Sequence, residues 1–415
     1  MALSQLGAPL YKTTYTNFQP RLGVALVLHN EVGHETVLRA GAGLFYDAIS
    51  VFDAVGSDES IGPGVTQLLG TSYKIPQTFP VTASVILTPP TTPVPPYPLA
   101  YFAAPNLYPP STIGWNVSLE QALGQKQSFI LGYVGSVGRN LINLQEYNEA
   151  ATNPLFTTFL QAQNGPGSNY NSLQAQFKRA LSHGLQVQAA YTWSHAIDSD
   201  SADSAFLPVQ RGNANHDVRN SFTTALVYDL PTQYALRWQR LILGDWNVSA
   251  WILARSAFPV EVSGPTVTVA GSEYSSELNY NGGNPYLRKA GVPGGRLFNP
   301  AVFSVPTADQ TEPGNAPRNF LRGFAEVEPD VALQRMFPLH DRINLIFRAE
   351  AFNFVNHPNF GAVNVTCGAT AAGAVCNNAQ LGEATNTLSS ALGGLSPIYQ
   401  QGGPRSMQFA LRVQF

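Results

Sequence analysis

Gly403-Pro-Arg-Ser-Met-Gln-Phe-Ala-Leu-Arg-Val-Gln-Phe415 closes the chain, and from Met407 it alternates without a break. Met407, Phe409, Leu411, Val413 and Phe415 fall on one side; Gln408, Ala410, Arg412 and Gln414 fall on the other. Successive side chains of a β-strand point to opposite faces, so this is a strand with one apolar and one polar face, ending on an aromatic residue. A half-wet strand also suits a soluble antiparallel sheet. A terminal strand of this form after many similar segments is the pattern of a transmembrane β-barrel, with lipid outside and water inside.

The same alternation recurs upstream, most clearly at Leu185 to Ser194, where Leu185, Val187, Ala189, Tyr191 and Trp193 interleave with Gln186, Gln188, Ala190, Thr192 and Ser194. Further strands are expected at Pro20–Leu28, Thr36–Asp47, Thr112–Leu123, Ser128–Gly138, Tyr170–Ala180, Asn220–Leu230, Trp246–Phe258, Asp330–Phe337 and Ile343–Phe354. That makes about eleven, most near the length a tilted membrane strand needs. Their connections alternate. His29–Glu35, Gly124–Gln127, Leu181–Gly184, Pro231–Asp245 and Pro338–Arg342 are short; Ala48–Ser111, Arg139–Asn169, His195–Arg219, Pro259–Pro329 and Val355–Gly402 are long. Outer-membrane barrels have short periplasmic turns and long external loops, so the final strand is expected to run inward and to place Phe415 at the periplasmic edge.

Composition agrees with this class. Only 12% of the 415 residues are Asp, Glu, Lys or Arg, yet the mean hydropathy is −0.05 because Asn, Gln, Ser and Thr stand where charge would. No run of about twenty apolar residues exists to form a membrane-crossing helix. A net charge of −3 gives no basic footprint for nucleic acid. Met1-Ala-Leu-Ser-Gln5 has neither the basic nor the apolar region of an export signal, so the sequence is expected to be a fragment whose signal lies elsewhere.

Several segments, taken in order, resemble the Oar-like TonB-dependent outer-membrane receptors of acidobacteria and related soil bacteria. They are Asn17-Phe-Gln-Pro-Arg-Leu-Gly23, Arg39-Ala-Gly-Ala-Gly-Leu-Phe-Tyr-Asp47, Gly132-Tyr-Val-Gly-Ser-Val-Gly138, Tyr170-Asn-Ser-Leu-Gln174 and Tyr191-Thr-Trp-Ser194 with Ile197-Asp198. Phe298-Asn-Pro-Ala-Val-Phe303, Arg318-Asn-Phe-Leu-Arg-Gly323 and Phe347-Arg-Ala-Glu-Ala-Phe-Asn-Phe-Val-Asn-His-Pro-Asn-Phe360 follow. The resemblance implies the C-terminal half of a barrel of roughly 22 strands. Residues 1–415 would form a single partial barrel domain; the plug, the TonB-contacting segment and a regulatory-like sandwich are expected to be absent from it. It implies uptake of a bulky nutrient, such as a glycan, peptide or chelate, with the plug and TonB as partners in the parent protein. The alternative is a surface adhesion protein that works through its external loops.

Charged residues assigned to the lumen face are Glu120, Lys178, Arg255, Arg348, Glu350 and Arg412; they would touch a plug or solute, or simply compensate one another in a wet lining. Phe409, Leu411, Val413 and Phe415 resemble the signal that outer-membrane assembly machinery recognises. Tyr191, Trp193, Tyr228, Phe45 and Tyr46 are expected in an aromatic girdle at the lipid interface.

Cys367 and Cys376 are close enough in sequence for a small loop disulfide in an oxidising compartment, without the further ligands a metal would need. The run Asp198-Ser-Asp-Ser-Ala-Asp203 has hard oxygens for a cation but lacks the glycine and terminal glutamate of a calcium loop. His195 near Asp198 shows no nucleophile elbow, the other histidines show no ligand spacing, and Thr88–Pro110 reads as a proline-rich spacer. Neither catalysis, a metal nor a cofactor is expected.

Overall fold

The structure, a computed structural model, describes residues 13–48, 100–104, 106–147, 159–199, 210–231, 242, 244–269, 272–307, 314–340, 343–388 and 402–415. Among these, eleven long strands form one sheet: β1 (Arg21–His29), β2 (Thr36–Tyr46), β3 (Ser111–Ala122), β4 (Gln127–Arg139), β5 (Ser168–Ser182) and β6 (Leu185–Asp198), followed by β7 (Asn220–Asp229), β8 (Trp246–Arg255), β9 (Glu326–His340), β10 (Ile343–Phe352) and β11 (Ser406–Gln414). Each pairs antiparallel with the next in sequence, and the two-residue strand Gly212–Asn213 adds to β6. In such a meander consecutive connections alternate between the two ends, so every long connection lies at one end. The two-residue β5–β6 turn, His183-Gly184, has φ of 51° and 76°, as a tight hairpin of right-handed twist requires.

All eleven strands anticipated from alternation are present. The largest change is β9, expected at Asp330–Phe337 but extending from Glu326 through Pro329 and Pro338. Proline usually ends a strand because it lacks the N–H donor. Pro329 is tolerated because the Phe354 amide donates to its carbonyl and its nitrogen faces the same way, beyond the last β9–β10 pair at Val331 and Ala351. Pro338 sits beside an irregularity in the register between Pro338 and His340.

Register divides the sheet into two faces. Leu119 opposes Leu131 and Leu38; Val117 opposes Tyr133 and Ala40. Phe347 opposes Leu411 and Arg335, and stacks on Phe409 at 6.5 Å. This apolar face is open: Phe409 is 68% exposed, Trp193 54% and Leu119 41%. Gly135 sits on it under the Trp115 ring, where a Cβ would come within 2.4 Å of ring carbon, so only glycine lets the indole lie flat there.

The densest apolar cluster of the described residues lies off the sheet, at the long-connection end. The β8–β9 connection supplies Val262, Leu278, Phe298, Val302, Phe303, Val305 and Leu321; the β10–β11 connection supplies Cys367, Ala369, Cys376 and Leu381. Backbone bonds join the two: Ser263 N–H donates to the Val365 carbonyl, Cys376 N–H to Phe303 and Val305 N–H to Ala374, each at 2.9 Å. Small antiparallel strand pairs carry several of these residues, among them Asn279–Tyr280 with Phe303–Ser304, which encloses the hairpin of Tyr286–Arg288 with Arg296–Phe298. Sequence alone reads both stretches as loops, because their strands are two to seven residues long and too short to show a period. Most of the spacer Thr88–Pro110, including Pro89, Pro90, Pro95 and Pro96, lies outside the described residues.

Candidate functional site

The face opposite the apolar one is polar, and an unbroken chain of registered pairs puts Glu120, Lys178, Arg255, Arg348, Glu350 and Arg412 on it together. Glu120 opposes Ile130, which opposes Gln176, two residues from Lys178. Lys178 opposes Gln188, Gln188 opposes Ala225, and Ala225 opposes Trp251, four residues from Arg255 on β8. Arg255 opposes Glu326, six residues before Ala332, which opposes Glu350. Arg348 opposes Ala410, two residues from Arg412.

Most of these charges are compensated locally. Arg39 pairs with Glu120 at 2.5 Å, Arg348 with Glu350 at 2.6 Å, and Arg255 with the buried Glu326. Among the described residues Lys178 and Arg412 make neither an ion pair nor a hydrogen bond; both are exposed and both stand toward the short-turn end. The partners Arg39 and Glu326 escaped the sequence reading, and strand alternation marks the face of Arg39 once β2 is placed.

Phe45 corrects one sequence expectation. It opposes Thr112, packs over Gly43 on the polar face, and carries the Arg21 guanidinium 4.7 Å above its ring. Phe45 and Tyr46 are consecutive in a strand, so only one can face lipid; Tyr46, Tyr191, Trp193 and Tyr228 keep the apolar parity.

At the long-connection end the Arg318–Gly323 motif acts as a clasp. Arg318 is buried and bonds both the carbonyl and the carboxylate of Asp198 at the end of β6. Asn319, at φ 56°, donates to the Asn213 carbonyl at 2.8 Å and to Asn215 at 2.6 Å. Phe320 packs against Tyr280 and Phe303, and Leu321 is fully buried. Arg322 meets Asp217 at 2.5 Å and donates to the Asp217 carbonyl at 2.8 Å. One hexapeptide thus ties the β6–β7 connection to the β8–β9 connection. Burial alone would raise the Asp217 pKa; the Ala196 amide, Arg322 and His195 outweigh it and hold the carboxyl below its ordinary range.

The Phe347–Phe360 motif works similarly. Asn353, buried at φ 46°, donates to the carbonyls of His357 and Gly403 and accepts from the His357 amide; Asn359 accepts from the Val327 amide. These bonds stitch the turn after β10 to β9 and β11.

The acidic run is not assembled as a cation site in what is described: Asp198 is engaged by Arg318, and Asp200 and Asp203 lie outside the described residues. His195 bonds Asp217 at 3.2 Å rather than Asp198. Cys367 and Cys376 are bonded, with both sulfurs inside the apolar cluster.

The family model of the outer membrane beta barrel domain matches residues 2–408. A comparison with curated proteins gives no match. Among solved structures the chain is similar to the ferric enterobactin receptor of Pseudomonas aeruginosa, at 12% identity over 88% of this chain and 38% of that one, with a TM-score of 0.41. It is also similar to the outer membrane transporter YddB of Escherichia coli, at 8% identity over 91% and 38%, TM-score 0.47. Pseudomonas aeruginosa FpvA, bound to pyoverdines, matches at 10% identity over 95% and 32%, TM-score 0.45. The chain thus spans under two fifths of the length of each of these three receptors and transporters. With an antiparallel sheet that is apolar on one face and polar on the other, and a family match over nearly its whole length, the chain belongs to the outer membrane beta barrel domain family.

Proposed function

We propose that the chain is barrel wall and external cap of an Oar-like TonB-dependent receptor that imports a bulky nutrient, such as a glycan fragment, peptide or chelate. One observation carries the reading: a polar face, continuous by register across all eleven strands, holds Glu120, Lys178, Arg255, Arg348, Glu350 and Arg412 opposite an exposed apolar face. Such a face lines a hydrated lumen when the sheet closes. Because β1 and β11 run the same way, antiparallel closure takes an odd number of further strands. In the parent, a plug filling that lumen and TonB acting on it would supply the gating. The long-connection cap would meet the solute, and Phe409, Leu411, Val413 and Phe415 would direct assembly into the membrane.

The test is uptake by cells carrying the parent gene, with radiolabelled ferric chelates, peptides and oligosaccharides as probes. A receptor of this kind accumulates one class only while TonB is present, yet retains surface binding without it. Accumulation of no class, with intact adhesion to surfaces, would sink the transport reading.

A further inference from the structure

We propose that Arg139 and Arg211 form a site for the phosphate of an anionic glycolipid of the outer leaflet, on the lipid-facing side of the sheet at its long-connection end. The proposal rests on the outer-membrane reading and adds a ligand site to it. Along β5 the apolar face runs Phe177, Ala175, Leu173, then turns polar at Asn171 and Asn169. The neighbouring strands change at the same level: Asn171 opposes Gly135 on β4 and His195 on β6, and Tyr133 donates to Asn171 at 2.6 Å. Below lie Tyr133, Tyr191 and Trp193, the amphipathic rings that favour a membrane interface. At the opposite end the apolar stretch of β5 stops at Arg179, which reaches the Ser182 carbonyl of the turn at 3.1 Å. From Asn171 to Arg179 is roughly 26 Å of strand, or about 20 Å along the normal at a 40° tilt, close to the apolar band of such barrels.

The two cations stand above this band. Arg211 bonds the neutral side chain of Asn169, which opposes Val137. Arg139 is two residues beyond Val137 on the same face, so it is a diagonal neighbour of Asn169, about 7–8 Å away by sheet geometry. Its level is four residues above Asn171, about 10 Å along the normal, which places it in the polar headgroup layer. Both arginines are exposed, and among the described residues neither has a carboxylate partner; Asp198 and Asp217 are held by Arg318 and Arg322. Two guanidiniums that have no carboxylate partner among the described residues, over an aromatic tier and an aliphatic band, match, layer for layer, a phosphorylated sugar headgroup on acyl chains.

The experiment compares wild type, R139Q/R211Q and the turn variant K126Q. Each substitution is made in the full-length parent, which is inserted into phosphatidylcholine vesicles, then titrated in detergent by native mass spectrometry with diphosphoryl lipid A and with lipid A lacking both phosphates. Wild type and K126Q should prefer the diphosphoryl form by about 10- to 30-fold, and R139Q/R211Q should lose that preference while inserting normally. Equal retention of the two lipids by wild type, or an undiminished preference in R139Q/R211Q, would overturn the site alone. Failure of the wild-type parent to insert would instead overturn the membrane reading beneath it.

Discussion

Asp217 shows how a single side chain can hold two connections together. Its carboxylate takes an amide from β6, a guanidinium from the Arg318–Gly323 motif and the His195 ring, and its folded-state pKa is depressed. A depressed carboxylate contributes stability that is fully present above its unfolded value, near 3.8, and is lost as pH falls through the lower folded value. The cap should therefore hold at neutral pH and loosen in strong acid. Asp217→Asn should lower cap stability at neutral pH and flatten the acid arm; denaturant unfolding between about pH 3 and 7 measures both. An unchanged acid arm would mean that other carboxylates carry it.

At the scale of elements, the disulfide and the last strand make separate predictions. Cys367 and Cys376 are nine residues apart in sequence, so ring closure is expected to stabilise by about 2–3 kcal/mol. Both sulfurs lie in the cluster shared by the β8–β9 and β10–β11 connections, so the effect should spread across the cap and spare the sheet. Cys367→Ala with Cys376→Ala should speed proteolysis within residues 256–325 and 353–405 while the β-sheet circular dichroism persists. In β11, Phe409 stacks on Phe347, whereas Phe415 lies just past the strand and is 95% exposed. Burying a Phe contributes only about 1.5–3 kcal/mol. Phe415→Ala is therefore expected to cut membrane assembly in cells far more than Gln414→Ala while barely changing the refolded protein. Equal membrane yields for the two variants would remove the assembly role.

At the scale of the whole molecule, an up-and-down sheet places all long connections at one end. Outer-membrane barrels carry their long loops outside, so that end is expected to be external. In exported protein on intact cells, a membrane-impermeant thiol reagent should label Lys289→Cys in the cap and spare Gln125→Cys in the β3–β4 turn. Labelling at equal rates would reverse or abolish this orientation.

The sequence by itself determined the eleven strands, their order and the division of faces, because a period of two is written directly in alternating side chains and lipid demands it throughout. The six charged residues could be assigned to one face before any coordinates, since parity along a strand is a local property. Tertiary structure alone decided what those charges meet: Arg39 with Glu120 and Arg255 with Glu326 are 81 and 71 residues apart. It also decided that the cap has a core. The side chains that build it come from strands of a few residues in two distant connections, and short strands have no period to read. The Arg318–Gly323 and Phe347–Phe360 motifs were visible as patterns, yet their work as clasps appeared only when buried arginine, asparagine and aspartate groups were seen meeting backbone partners across connections that sequence reads as independent loops.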